Sequence, residues 1–143
     1  MSKLIEFKPE HLLPLLNEPI NTHLKGWFMS GVIYEIKDSV TFFYNDQVMF
    51  CGGITPYWEG RGQVWSVFSE RSKHHFVPTF RVIRSYLNNQ LGLNYRRIEM
   101  SVDVDFEIGK RRAEMLGFRL EVERAKQYLP NGKDCALYAM VRG

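Results

Sequence analysis

The stretch VWSVFSERSKHHFVPTFRVIRSYLNNQLGLNYRRIEMSVDVD, residues 64–105, decides the fold. Val64–Phe68 is a short apolar run, the pattern of a buried strand. From Phe80 the spacing changes. Phe80, Ile83, Leu87 and Leu91 recur three and four residues apart, with Arg81, Arg84, Ser85 and Asn88 on the other face, which predicts a helix ended by Gly92. Ile98, Met100 and Val102 then alternate with Arg97, Glu99 and Ser101, the period of a strand. Between the first strand and the helix lies ERSKHHFVPT, a turn carrying basic residues and two histidines. Helix amides are unpaired at such a junction, so it is where α/β proteins hold anionic cofactors.

Working outward, the helix after this stretch is FEIGKRRAEML, with Asp105 as its expected N-cap and Gly117 as its C-terminal stop. Phe118–Val122 reads as a half-exposed strand, PNGKD as a turn and CALYAMV as a last buried strand. Toward the N-terminus, QVMFCGGIT (47–55) is apolar enough for a strand covered on both faces, and Gly52-Gly53 inside it predicts a bulge or a close backbone approach. Val40–Tyr44 is a strand ending at the turn pair Asn45-Asp46, and PYWEGRG (56–62) is expected to be a hairpin connection. Leu4–Phe7 predicts an opening strand. EHLLPLLNE predicts a helix with Leu12, Leu13, Leu15 and Leu16 as its apolar face, followed by a second short helix from Pro19 through Leu24, Trp27 and Phe28 to Gly31, and strand character from Val32. The order implies one domain, residues 1–143, of mixed α/β class with a single central sheet. A ferredoxin-like sandwich stays open only if the first two helices are absent.

Bulk composition bounds the function. A chain of 143 residues with 45% hydrophobic and 24% charged content can bury one core but not two. Net charge of +3 permits anionic ligands without arguing for nucleic acid. The charged N-terminus and the lack of a run of ~18 apolar residues lead to the expectation of an intracellular protein with no membrane span. Cys51 and Cys135 sit in apolar strand runs and read as buried thiols. His74-His75 lacks a third ligand, so no metal site is expected.

The element order, the step EMLGF (114–118) and the closing NGKDCALYAMV (131–141) resemble the GCN5-related N-acetyltransferase (GNAT) family. Within it the pattern is similar to the GNAT-like internal virion protein A group of short-tailed bacteriophages. The residues behind that likeness are Gly52-Gly53, Trp65, Ser69 with Lys73 and Phe76, and Asn131-Gly132 leading to Leu137-Tyr138. The resemblance implies a mixed, mostly antiparallel sheet with helices on both faces, a phage-encoded protein of the host cytoplasm or the virion, and acetyl-CoA as cofactor.

The family's cofactor turn reads Q/R-x-x-G-x-G/A, and its glycines let amides approach a pyrophosphate. Set over residues 74–79, it places Val77 and Thr79 at the glycine positions and Pro78 between them. No glycine occurs between Gly62 and Gly92, so no shift restores the motif. The resemblance therefore assigns cofactor contact to Val67, Ser69, Arg71, Lys73, His74 and Thr79, with side-chain charge replacing amides. The competing reading is a solvated basic turn whose Phe76 plugs the core. The helical tyrosine that family members use as an acid falls on Ala113, so Tyr138 joins the carboxylates Glu70, Glu99 and Asp103 as the candidate proton-transfer groups. Two functions follow: acetyl transfer to an amine, or a catalytically silent phage protein acting in virion assembly, DNA ejection or host-protein interaction. Tyr57 and Trp58 are the expected contact for a protein partner or a second copy.

Overall fold

The computed structural model describes residues 1–28 and 39–143. The expected strand from Val32 and the helix end at Gly31 lie outside them. The elements run β1 (Ser2–Glu6), α1 (Pro9–Leu16), a 3-10 helix (Pro19–Phe28), β2 (Ser39–Tyr44), β3 (Gln47–Trp58), β4 (Gly60–Phe68), a second 3-10 helix (Glu70–His74), α2 (Phe76–Leu93), β5 (Tyr95–Asp103), α3 (Glu107–Met115), β6 (Arg119–Ala125) and β7 (Cys135–Val141). The strands form a seven-stranded sheet in the order β1-β2-β3-β4-β5-β7-β6. β4 and β5 pair in parallel, joined through α2, whereas β1 with β2, β2 with β3, β5 with β7 and β6 with β7 are antiparallel. By compactness the chain divides into two units, Met1–Thr55 with Trp65–Val82 and Pro56–Val64 with Ile83–Gly143.

The first unit is built on aromatic rings. Phe50, Phe68 and Phe80 follow one another at centroid separations of 6.0 and 5.6 Å, and Phe42 joins Phe50 at 6.0 Å. Val67, one residue from Phe68, packs instead with Phe7, Leu12, Leu15, Leu16 and Cys51. Neighbouring strand residues point to opposite faces, so α1 and the start of α2 cover opposite faces of this unit's strands. Leu13, expected in the apolar face of α1, is exposed. Met49–Ile54 is buried throughout, as the double-sided reading of β3 requires. Gly52 and Gly53 are close-approach glycines: a Cβ at Gly53 would lie 2.6 Å from the Ser39 Cβ, and one at Gly52 would lie 2.8 Å from the Trp65 carbonyl oxygen. The register shift falls between Phe42 and Phe43 instead. Asn45 and Asp46 both take positive φ (51° and 63°) between the paired Tyr44 and Gln47, a two-residue hairpin turn.

In the second unit, β5 and β7 pair from Arg97↔Val141 to Asp103↔Cys135. Helix α3 ends in a Schellman motif. Gly117, at φ +101°, donates to the Glu114 carbonyl at 3.1 Å, and Phe118 donates to the Ala113 carbonyl at 3.0 Å. The LGF step is thus a helix stop followed by a core anchor, because Leu116 and Phe118 are both buried.

Several boundaries differ from the sequence reading; β1 is Ser2–Glu6 rather than Leu4–Phe7, and β6 is Arg119–Ala125 rather than Phe118–Val122. PYWEGRG is not a loop: β3 continues to Trp58 and β4 begins at Gly60, whose φ of +88° turns the chain at Glu59. Pro56 breaks nothing, since its fixed φ suits extended backbone. Helix α2 starts at Phe76 rather than Phe80 and passes Gly92 to reach Leu93. Pro78 sits in its first turn, where a missing N–H is no loss. Asp105 does not cap α3. The cap position is Phe106, and Asp103 organises the entry: its Oδ1 accepts from Asp105 N at 2.9 Å and its carbonyl accepts from Phe106 N at 2.9 Å.

Candidate functional site

The basic turn follows the end of β4 and leads into the first turn of α2, and the stretch Trp65–Val82 that carries it belongs to the first unit. Ser69 is its hinge. The Ser69 N–H donates to the Met49 carbonyl at 2.9 Å, and its side-chain oxygen accepts from Arg71 N at 3.1 Å, capping the 3-10 helix. Ser72 returns both its N–H (3.0 Å) and its hydroxyl (2.7 Å) to the Ser69 carbonyl. Asn21 ties the preceding residue by donating to the Phe68 carbonyl at 2.8 Å.

The position in front of this 3-10 helix is filled by a residue the sequence did not single out. Glu18 accepts from Glu70 N at 3.0 Å and from the Ser69 hydroxyl at 3.4 Å, and Arg71 Nη1 stands 4.0 Å from its carboxylate. An internal carboxylate therefore meets the outward amide there. Glu18 and Glu70 are 52 residues apart, and no local pattern links them.

Of the expected cofactor residues, Ser69, Arg71, Lys73 and His74 share this turn, and the last three are exposed. Val67 and Thr79 are sealed in the core, so Val67 presents only backbone. The Thr79 hydroxyl is buried with no hydrogen-bond partner among the described residues. His75 packs against Tyr44 with ring centroids 4.6 Å apart. Phe76 does not plug the core: it is 43% exposed and leans on Phe80 at 4.5 Å. The first turn of α2 offers the outward amides of Phe76 and Val77. Pro78 has none, and Thr79 N donates to the His75 carbonyl at 3.2 Å. A phosphate here would meet two amides and three cationic or ionisable side chains, a seat held mainly by charge.

The candidate proton-transfer residues are dispersed. Glu70 opens the 3-10 helix with its amide on Glu18. Glu99 lies in the second unit, where Arg61 pairs with it and Arg97 donates to it at 2.6 Å; Arg97 also forks onto Glu121 at 2.5 and 3.0 Å. The Arg61 hydrogen bond, followed by that of Arg97, holds the Glu99 carboxyl below the usual carboxylate range, and so depressed a carboxylate is a weak proton acceptor near neutrality. Beside it, Tyr57 donates to Gln63, Gln63 donates to Ser101, and the Arg61 guanidinium lies over the Tyr57 and Trp58 rings at 4.8 and 4.5 Å. Asp103 shapes the α3 entry and stands 3.6 Å from Lys133. Tyr138 is buried, and burial followed by the Glu114 charge pushes its pKa up, so the phenol stays protonated. Cys51 and Cys135 are buried free thiols, with Cys51 pushed up to about 12 by burial.

No family model matches the chain, and no curated protein matches it by sequence. Solved structures do match. Ard1 from Thermoplasma volcanium superposes with a TM-score of 0.78 at 13% identity, over 98% of this chain and 97% of that one. A GNAT-family acetyltransferase from Bacillus anthracis gives 0.77 at 12% identity, over 98% and 94%. The aminoglycoside acetyltransferase AAC(6')-Ib, in complex with coenzyme A, gives 0.72 at 11% identity, over 99% and 95%. At these identities the likeness is one of fold.

Proposed function

We propose, for a chain that has the fold of the GNAT acetyltransferases, that its 143 residues act as one N-acyltransferase domain moving an acetyl group from acetyl-CoA to an amine. The observation that carries this reading is the basic turn itself: Arg71, Lys73 and His74 exposed at the junction of a buried strand and the first turn of α2. Acetyl-CoA would supply the thioester when bound. The turn's part is to hold phosphate oxygens by the Arg71 and Lys73 charges and by the Phe76 and Val77 amides. Transfer then needs a neutral amine held against the carbonyl; the C–N bond forms, the C–S bond breaks, and one proton passes from nitrogen to sulfur. Orientation supplies most of the rate in such a reaction, so the lack of a well-placed base is compatible with it.

Calorimetric titration with acetyl-CoA tests the reading. Binding at submillimolar ligand is expected, weakened about a hundredfold or more in the double variant Arg71→Ala/Lys73→Ala, since each charge-assisted phosphate contact is worth roughly 1.5–3 kcal/mol. Absence of binding at millimolar ligand would overturn it.

A second reading is favoured by a specific observation: the turn has no glycine, and its leading amide is already met by Glu18. In that reading the chain is a catalytically silent GNAT-like protein, phage-encoded as the finer resemblance implies, working in virion assembly, DNA ejection or contact with a host protein. The exposed Tyr57 and Trp58 rings support a partner surface. Among the described residues no helix is long and apolar enough to cross a membrane.

A further inference from the structure

We propose that a cavity of about 300 Å³ in the second unit, lined by Glu59, Gly60, Leu93, Asn94, Arg96 and Arg142, binds a small ligand through an oxyanion, a phosphate or a carboxylate. Two guanidiniums converge on it from adjacent chain segments. Arg96 lies on β5 and Arg142 follows β7, and Arg142 N donates to the Arg96 carbonyl at 2.9 Å. Among the described residues each guanidinium is pinned once. Arg96 Nη1 donates to the Glu59 carbonyl at 3.2 Å, and Arg142 Nη1 donates to the Gly92 carbonyl at 3.3 Å. A guanidinium has five N–H donors, so each fork is oriented by one bond and keeps the others for a ligand.

Glycine at position 60 is part of this arrangement. Its φ of +88° makes the β3–β4 turn, and a Cβ there would collide with Arg96 Nη1. The side chain that the turn forgoes is the space in which the Arg96 fork lies.

Helix-end capping accounts for Arg142 alone, because cations near a helix C-terminus satisfy its last carbonyls. It does not account for a second arginine brought to the same cavity. The lining holds two cations against one carboxylate, Glu59. Like charges held together repel, and an oxyanion bridging the two forks would offset that cost while matching their planar geometry. The cavity shares no residue with the Ser69–His74 turn, so it stands or falls independently of acyl transfer.

The test is a titration of the full chain, at constant ionic strength, with inorganic phosphate and separately with acetate, following the amide resonances of Gly60, Asn94 and Arg96. Saturable shifts with at least one of the two anions are expected, and whichever saturates at lower concentration identifies the oxyanion. Arg96→Gln and Arg142→Gln should each weaken the midpoint about tenfold, Arg96→Lys less, and Arg84→Gln not at all. Arg84, Arg96 and Arg142 are all exposed, and thermal melts establish that each variant is folded. Shifts that grow linearly with both anions, or a midpoint unchanged in Arg96→Gln and Arg142→Gln, would overturn the proposal.

Discussion

Both units bury an apolar core, Ile98, Leu116, Phe118 and Tyr138 among it in the second, but they differ in what accompanies that core. In the first, the rings of Phe42, Phe50, Phe68 and Phe80 are each 8% exposed or less, and their contacts are apolar. In the second, a ladder of Arg61, Glu99, Arg97 and Glu121 runs from β4 to β5 and then over β7 to β6 on a partly exposed sheet face. Ring burial is insensitive to salt and pH, whereas a partly solvated ion ladder responds to both. The difference also marks where chemistry is affordable. The second unit's best-held carboxylate is committed to two arginines, while the first unit leaves Arg71, Lys73 and His74 exposed at the end of a rigid strand.

The strongest way to break the comparison is to remove a ring. Phe80→Ala deletes the side chain that links Phe68 to Phe76 and leaves a cavity, at a cost of about 3–5 kcal/mol. Urea unfolding should show that loss at low and high salt alike. A loss below about 1 kcal/mol would mean the stack is not what holds the unit.

The matching change in the second unit is Glu99→Gln. It leaves the Arg61 and Arg97 guanidiniums without their shared counter-charge, and the expected cost is about 1–2 kcal/mol, smaller at 1 M salt. The sign of its pH dependence is fixed by the direction of the shift. The folded carboxyl titrates below its unfolded value, so its contribution is complete above that value and is lost as pH falls through the folded one. Wild type should therefore lose stability in that acid window, and Glu99→Gln should lose less of it. Equal losses in both would remove Glu99 from the account.

Glu18→Ala sharpens the contrast from the other side. Its carboxylate caps a 3-10 helix rather than bridging two cations, so about 1 kcal/mol is expected from lost capping. The informative readout is the Glu70 amide: its resonance should move and its hydrogen exchange accelerate, with β5 amides unchanged.

How much of this was legible in sequence divides along the same line. Periodicity showed the buried strands and the apolar face of α2, because burial of alternating or helically spaced side chains is a local property. Gly117 and Asn45-Asp46 were legible because positive φ selects few residue types. The start of α2 was missed since Pro78 reads as a breaker, although a first-turn proline is neutral. The Glu59 turn was missed since glycine on each side of a polar residue suggests a long loop. The Glu18–Glu70 and Arg61–Glu99 pairings join residues 52 and 38 positions apart, and no spacing rule reaches that far. The family's glycine motif set a place for the cofactor, while the residues actually standing there, Val77, Pro78 and Thr79, set what that place can offer.

The smallest expected effect separates packing from titration inside the first unit itself. His11 Nδ1 accepts from Lys8 N at 3.1 Å and lies 2.8 Å from Thr41 Oγ1, while the ring meets Phe43 edge-on at 5.3 Å. An amide donating to Nδ1 requires that nitrogen to be unprotonated, so Thr41 is the donor in the second contact. Burial, the largest cause, pulls the imidazole pKa down, the Lys8 charge adds to it, and Glu10 opposes both. A histidine whose folded pKa is lowered takes up its proton first in the unfolded chain. Its neutral form costs nothing above about pH 6.5, and stability falls as pH drops below that value toward the folded pKa. Protonation would also cost α1 the bond at its N-terminus. An NMR titration of the His11 ring should give a midpoint below 6.5, and His11→Asn should flatten the stability profile between pH 6.5 and that midpoint. A midpoint above 6.5 would mean that the Glu10 charge outweighs burial, and the first unit would then be stabilised by acid in this range rather than weakened by it.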